Sequence, residues 1–358
     1  MNPVRIAIVG CGKVAQLHGE ALDGLPEADL IGACDPLPER AEQFAARFGA
    51  RPFTDLAGML NWADLEAVVL CTPHPLHCDA AVAAANAGKH VLVEKPLAPT
   101  VADCDAMIDA AGRNRVLLGV VSQRRFYEPV VRMKDAIDAG KIGTPVLGTI
   151  VMLSWRDQAY YSSDPWRGKW STEGGGVLIN QAPHQLDILQ WLMGPVEEIS
   201  GYWGNLNHPY IEVEDTAVAT LRFAGGGLGS IVTSLSQKPG IYTKVHIHGS
   251  NGASVGVQTD SGATFVAGMT GIAAPPFTDL WTVPGEEHML SQFQAQDEQL
   301  FATINPLTHY HRLQLKDFCY AVRERRQPAV PGVEGRKVVS MIEAIYRSSN
   351  EARPIRFD

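Results

Sequence analysis

The sequence predicts an α/β chain of two domains. A doubly wound parallel sheet comes first, and an α+β domain with an open, mostly antiparallel sheet follows. Three observations predict it. Short β-branched runs alternate with alanine-rich helical stretches over the first ~120 residues. Those runs lack the polar alternation of a sheet with one wet face. After Ser122 the runs lengthen and glycine turns join them.

The elements follow in order. "VRIAIVG", "LIGACD", "AVVLCTP", "HVLVEKP" and "VLLGVV" read as strands. "VAQLHGEALDGL", "RAEQFAARFG", "HCDAAVAAANAG" and "TVADCDAMIDAAGR" lie between them as helices. Strands apolar on both faces belong to a parallel sheet covered by helices, and a βαβ series winds it doubly. This domain spans 1–123 and the second spans 124–358. The second opens on a helix, "EPVVRMKDAIDAGKIG". "PVLGTIVMLSW", "DTAVATLRF", "GLGSIVTSLS" and "TKVHIHG" are its strands, and Gly225, Gly226 and Gly227 make a hairpin turn. Residues 259–284 read as strands and loop. Two amphipathic helices, "HRLQLKDFCYAVRERRQ" and "EGRKVVSMIEAIYRSS", come last.

Composition excludes several function classes. The chain has 358 residues, about two domains' worth. Hydrophobic residues form 46% of it, enough for a real core. Lys plus Arg number 30 against 39 Asp plus Glu, a formal charge of -9. A general nucleic-acid binder needs a basic face, so none is expected. The six cysteines form no Cys-x-x-Cys pair, which predicts reduced thiols and a cytoplasmic setting. "MNPVRIAIVGCG" lacks the apolar run of a signal peptide. No run of ~18 apolar residues predicts a membrane span.

"IAIVGCGKVAQLHG" places Gly10, Gly12, Lys13, Val14 and Ala15 between a strand and a helix. That is the context a G-x-G-x-x-A dinucleotide loop requires. Gly10 permits the tight turn, Gly12 the approach of a pyrophosphate, and Ala15 close helix–sheet packing. Asp35, at the end of the second strand, suits the adenosine ribose hydroxyls and repels a 2′-phosphate. NAD is therefore expected over NADP, against which stands Arg40, a nearby arginine that could hold a 2′-phosphate.

Ligands of a doubly wound sheet bind outside the carboxyl ends of its strands. Thr72, Pro73, His74, His77, Glu94, Lys95 and Gln123 stand at such ends. Lys95 is either a strand-end ion pair, with Glu94 the available partner, or a working amine. The second domain carries "EGGGVLINQAPHQLDILQWLMG", in which Asn180, His184 and Asp187 would share one helix face.

On "GCGKVA", "TPHPLH", "EKP" and "GGGVLINQAPHQLD" the chain resembles the Gfo/Idh/MocA oxidoreductases, the family of glucose–fructose oxidoreductase and inositol dehydrogenases. The resemblance covers nearly the whole chain, and EKP is its most specific part. It implies that Lys95 is the catalytic lysine and His184 its partner at the substrate hydroxyl. It also implies that His74 and His77 lie close to the cofactor. Many members carry Asp where this chain has Asn180, and an amide orients a hydroxyl but takes no proton. The implied activity is NAD-dependent hydride transfer at a secondary alcohol of a sugar, glycoside or cyclitol, by a homodimer or homotetramer. NAD-dependent glycosidases within the family give a second reading. A non-catalytic NAD-sensing regulator gives a third, against which Lys95 and His184 argue. A cis Lys95–Pro96 bond would aim the lysine into the interdomain cleft.

Gln123 and Arg124 leave the last parallel strand towards that cleft. Trp155, Arg156, Tyr160, Trp166 and Arg167 follow the first strand of the second domain. Aromatic faces and arginines suit a sugar ring or an anionic substituent, and the same residues could instead pack on one another. The pairs His246/His248 and His309/His311 have no third ligand at metal spacing, so no metal is expected.

Overall fold

The computed structural model describes residues 2–260, 264–266, 269–271 and 274–357. Part of the stretch 259–284, expected as strands and loop, lies outside these residues. The chain forms two units. Met1–Gln123 group with Leu307–Val339, and Arg124–Pro306 group with Ser340–Asp358. The first of the two closing helices thus belongs with the amino-terminal unit, not with the residues before it in sequence.

In the first unit six parallel strands stand in the order β3-β2-β1-β4-β5-β6. They are β1 (Val4–Val9), β2 (Ala28–Cys34), β3 (Arg51–Phe53), β4 (Ala67–Leu70), β5 (His90–Val93) and β6 (Leu118–Val120). Helices α1 (Lys13–Leu22), α2 (Pro38–Phe48), α3 (Leu56–Leu60), α4 (His77–Asn86) and α5 (Val101–Asn114) connect them. Local chemistry sets several ends. Pro38 opens α2 and Gly49 closes it in the left-handed conformation. Thr100 caps α5 by accepting from the Asp103 N–H. The edge strand β3 escaped the sequence reading because it is three residues long and exposes Arg51 and Pro52.

Helix His309–Glu324 joins this unit for two reasons. Leu315, Phe318 and Val322 enter the core of Ile6, Ile8, Val69 and Leu92. Gln314 also serves the edge strand β6 and Ser122, two residues past its end. Its amide donates to the Val120 carbonyl at 2.8 Å and accepts from the Ser122 N–H at 2.9 Å. An uncovered sheet edge is a liability, and this side chain helps to cover one.

The second unit is built on an eight-stranded sheet. In spatial order its strands are Phe277–Trp281, Ser254–Asp260, Tyr242–Gly249, Pro145–Leu153, Leu228–Ser234, Thr216–Phe223, Val196–Gly204 and Ile355–Arg356. Only Pro145–Leu153 and Leu228–Ser234 run parallel among these pairings. The glycine hairpin forms as expected, with Gly226 at φ +85°. One face is covered by helix Pro183–Met193, which lies so close that a Cβ on Gly148 would stand 2.6 Å from Leu189. On the other face Tyr202, Val218 and Val232 sit opposite one another on adjacent strands, all exposed.

Candidate active site

β1 delivers Gly10 with φ +85°, a conformation glycine adopts without strain. A Cβ there would stand 2.9 Å from the Cys71 carbonyl oxygen. Gly12 is different, because a Cβ on it would meet nothing within 4 Å. It opens α1, no side chain caps that helix, and Ala15 is fully buried beneath it. A helix start facing open space suits a phosphate. Lys13 is exposed and Val14 half-buried at the same turn. Asp35 is buried, and its carboxylate accepts from the Cys11 N–H at 2.9 Å and the Leu37 N–H at 3.0 Å. It therefore shapes the glycine loop from just beyond β2. The Thr72 hydroxyl is buried with no hydrogen-bond partner among the described residues. A buried hydroxyl calls for a partner, and a polar ligand atom would supply one. Pro73 and a buried His74 begin the turn that follows. These residues fit a dinucleotide.

Lys95 is half-buried just beyond β5, and its bond to Pro96 is cis, as expected. Glu94 and His77 both face the interior. His77 is fully buried, with Nδ1 2.9 Å from the Pro96 carbonyl and Nε2 2.9 Å from the Thr72 carbonyl. Each ring nitrogen faces a carbonyl oxygen, so the ring sits between the segments that follow β4 and β5. Burial pushes its pKa down, against those two carbonyls.

The Glu94 carboxylate meets His18 Nε2 at 2.7 Å and accepts from the Lys95 N–H at 3.0 Å. Burial works to raise this carboxyl. The hydrogen bond and charge of His18, with His311 and Lys95, hold it well below the usual range. His311 is pushed down to about 4, mainly by burial. Donor atoms of His18, Glu94 and His311 lie within 4.8 Å of one another. The sequence reading missed this group. Its one signal was a histidine on the buried face of α1, spaced with Ala15, Gly19 and Leu22.

In the second unit, the face expected for Asn180, His184 and Asp187 is not a single α-helical face. Residues Val177–Gln181 form a π turn, in which the Ala182 N–H reaches the Val177 carbonyl at 2.9 Å. The α-helix starts only at Pro183. The Asn180 amide donates to Glu173 and to the Tyr160 hydroxyl, the latter at 3.0 Å. Asp187 receives both arms of a buried Arg125. His184 is buried at the helix start.

Glu214 fixes this turn by accepting from Gly176 N–H at 2.8 Å, Leu178 N–H at 2.9 Å and the Tyr346 hydroxyl at 2.9 Å. Burial pushes its carboxyl up to about 7, against the pull of those donors.

The arginines and aromatics are largely used on one another. Arg124 pairs with Asp260. Arg167 lies 4.3 Å over the Tyr160 ring and 4.5 Å over Trp166. Arg156 donates to the Trp155 carbonyl at 2.8 Å, and Trp155 packs on His208 at 5.5 Å. In the first unit Gln123 is half-buried, its side-chain amide oxygen without a hydrogen-bond partner among the described residues. His246 pairs with Asp279 at 2.9 Å.

Comparison with known proteins follows the two units. Residues 4–122 match the oxidoreductase family with an NAD-binding Rossmann fold, GFO_IDH_MocA. Residues 130–255 match the GFO/IDH/MocA C-terminal domain. A myo-inositol 2-dehydrogenase of Thermotoga maritima is 26% identical over 99% of this chain and 99% of its own. A scyllo-inositol 2-dehydrogenase (NAD(+)) of Bacillus subtilis is 30% identical over 70% of this chain and 73% of its own. The WlbA dehydrogenase from Bordetella pertussis, solved in complex with NADH and UDP-GlcNAcA, superposes with a TM-score of 0.83. It is 32% identical, over 99% of both chains.

Proposed function

Because the chain belongs to the Gfo/Idh/MocA oxidoreductases and carries their NAD-binding domain, we propose that it transfers a hydride between NAD and a secondary alcohol of a sugar, glycoside or cyclitol. The observation that carries this reading is the dinucleotide loop on one sheet with Lys95 at the end of β5. Gly10, Gly12, Ala15, Asp35 and Thr72 would hold the dinucleotide, and its nicotinamide supplies the hydride acceptor.

Lys95 takes the proton of the substrate hydroxyl as hydride leaves the carbinol carbon. A positioned general base of this kind contributes about 10²–10⁴-fold. His184 is proposed as its partner at that hydroxyl. Asn180, whose amide is committed to Glu173 and Tyr160, holds the turn before it. Gln123, Arg124, Trp155, Arg156, Tyr160, Trp166 and Arg167 remain the proposed substrate-side groups, and the two arginines beside Tyr160 favour a substrate with an acidic or strongly polar rim.

Self-association into a dimer or tetramer is supported by the exposed row of Tyr202, Val218 and Val232 on the uncovered sheet face. Sedimentation equilibrium reads it, and a monomer would contradict it. Six free cysteines support a cytoplasmic setting, and no helix among the described residues is long and apolar enough to cross a membrane.

The test of function is a panel of inositols, aldoses, uronic acids, nucleotide sugars and aryl glycosides. Each is incubated with NAD and followed for NADH and for released aglycone. Stoichiometric NADH from at least one polyol supports the dehydrogenase. Aglycone release without net NADH would reject it in favour of a glycosidase.

A further inference from the structure

We propose that His18 and Glu94 are positioning residues, which tie the helix behind the glycine loop to the backbone of Lys95. The inference rests on the reading of Lys95 as the acid/base. Gly12 begins α1, and His18 lies on its buried face. One oxygen of Glu94 meets the His18 ring at 2.7 Å, and the other takes the Lys95 N–H at 3.0 Å. A single rigid carboxylate thus joins the first helix to the residue whose amine must be aimed.

The protonation is fixed by chemistry. An ionised carboxylate only accepts, so His18 Nε2 carries the hydrogen. His18 Nδ1 is buried with no hydrogen-bond partner among the described residues. The ring therefore makes one hydrogen bond, and that bond goes to Glu94. His18 is 1% exposed and Glu94 6%. Burying such a pair for stability alone is a poor bargain, because apolar side chains of similar volume commonly do as well. His311 adds a third donor atom nearby. The His18–Glu94 contact is nevertheless a closed hydrogen bond, and the other Glu94 oxygen is engaged, so a link describes the group better than an ion site.

Glu94 also sets the local charge. The groups facing it are His18 on α1, His311 on helix His309–Glu324, His77 on α4, Cys71 beyond β4, and Lys95. Among them Glu94 is the anion, since burial keeps the Cys71 thiol protonated. An anion near an ammonium favours the protonated amine.

The experiment compares His18→Leu, His18→Gln and Glu94→Gln with the wild type, on a substrate found active. His18→Leu breaks the link and should lower kcat about 10- to 100-fold, the scale of a misplaced catalytic group. NAD affinity should change less than about threefold. His18→Gln restores a donor at the place of Nε2 and should recover most of the loss. Glu94→Gln removes the charge, so the rising limb of kcat/KM with pH should move to lower pH. A merely structural role would not move that limb.

Hydrogen exchange at the Lys95 amide should quicken in His18→Leu. That readout is independent of turnover, so it separates failure of this link from failure of the Lys95 assignment. Wild-type kcat together with an unchanged Lys95 amide in His18→Leu would overturn the proposal. Should that variant not fold, an unmoved pH limb in Glu94→Gln would overturn it instead.

Discussion

Asp35 shapes the glycine loop, and recognition of the ribose is proposed for the same side chain. Its two oxygens each take one backbone N–H, from Cys11 in the glycine loop and from Leu37 beyond β2. Each oxygen keeps a further lone pair for a ribose hydroxyl. Asp35→Ala removes the groove's anion and slackens the loop at once. NAD affinity should fall about tenfold or more, roughly 1.4 kcal/mol. NADP should lose less, since its 2′-phosphate no longer meets a carboxylate while Arg40 remains. Paired dissociation constants check this, and an unchanged NAD-to-NADP ratio would reject the discriminating role. Asp35 was legible because its distance from the glycines follows from one βαβ unit. The inward turns of Glu94 and His77 were not, because a strand-end position does not tell which way a side chain points.

At the scale of elements, the π turn Val177–Gln181 depends on a residue far away in sequence. Glu214 supplies acceptors to Gly176 and Leu178, and a Cβ on Gly176 would fall 1.8 Å from the Glu214 carbonyl oxygen. The glycine triplet announced a close approach, but not what approached. That is why Asn180 and His184 were read as one helical face. The same carboxylate gives a pH signature. Its folded pKa of about 7 lies above the usual value of 4.5. The folded state therefore binds the extra proton, and the stability from that binding is fully present below about 4.5. It is lost as pH rises through about 7, to a total on the order of 3 kcal/mol. Glu214→Gln cannot titrate. The stability of the wild type relative to this variant should fall between pH 5 and pH 8, as read from urea midpoints at each pH. A difference independent of pH would contradict the buried carboxylate.

Over the whole molecule, periodicity carried furthest where burial is simplest. The strands apolar on both faces declared the parallel sheet, and the alternating "TAVATLRF" declared a sheet with one face open. The placement of helix His309–Glu324 with the first unit was out of reach. An amphipathic face states that a helix is covered, not by which sheet. The candidate site was read from motifs, and the contacts that support it were not legible. His18, His311 and Glu214 act through contacts between distant segments, which no local spacing encodes. The central claim remains that Lys95 moves the proton while NAD takes the hydride. The most direct test is NADH formation by wild type and Lys95→Met on the same active alcohol. The variant keeps most of the bulk and has no proton to exchange. The expected result is a kcat loss of about 10²–10⁴-fold, with NAD affinity within about threefold of the wild type. Wild-type turnover by Lys95→Met would contradict the assignment and leave Lys95 a strand-end charge.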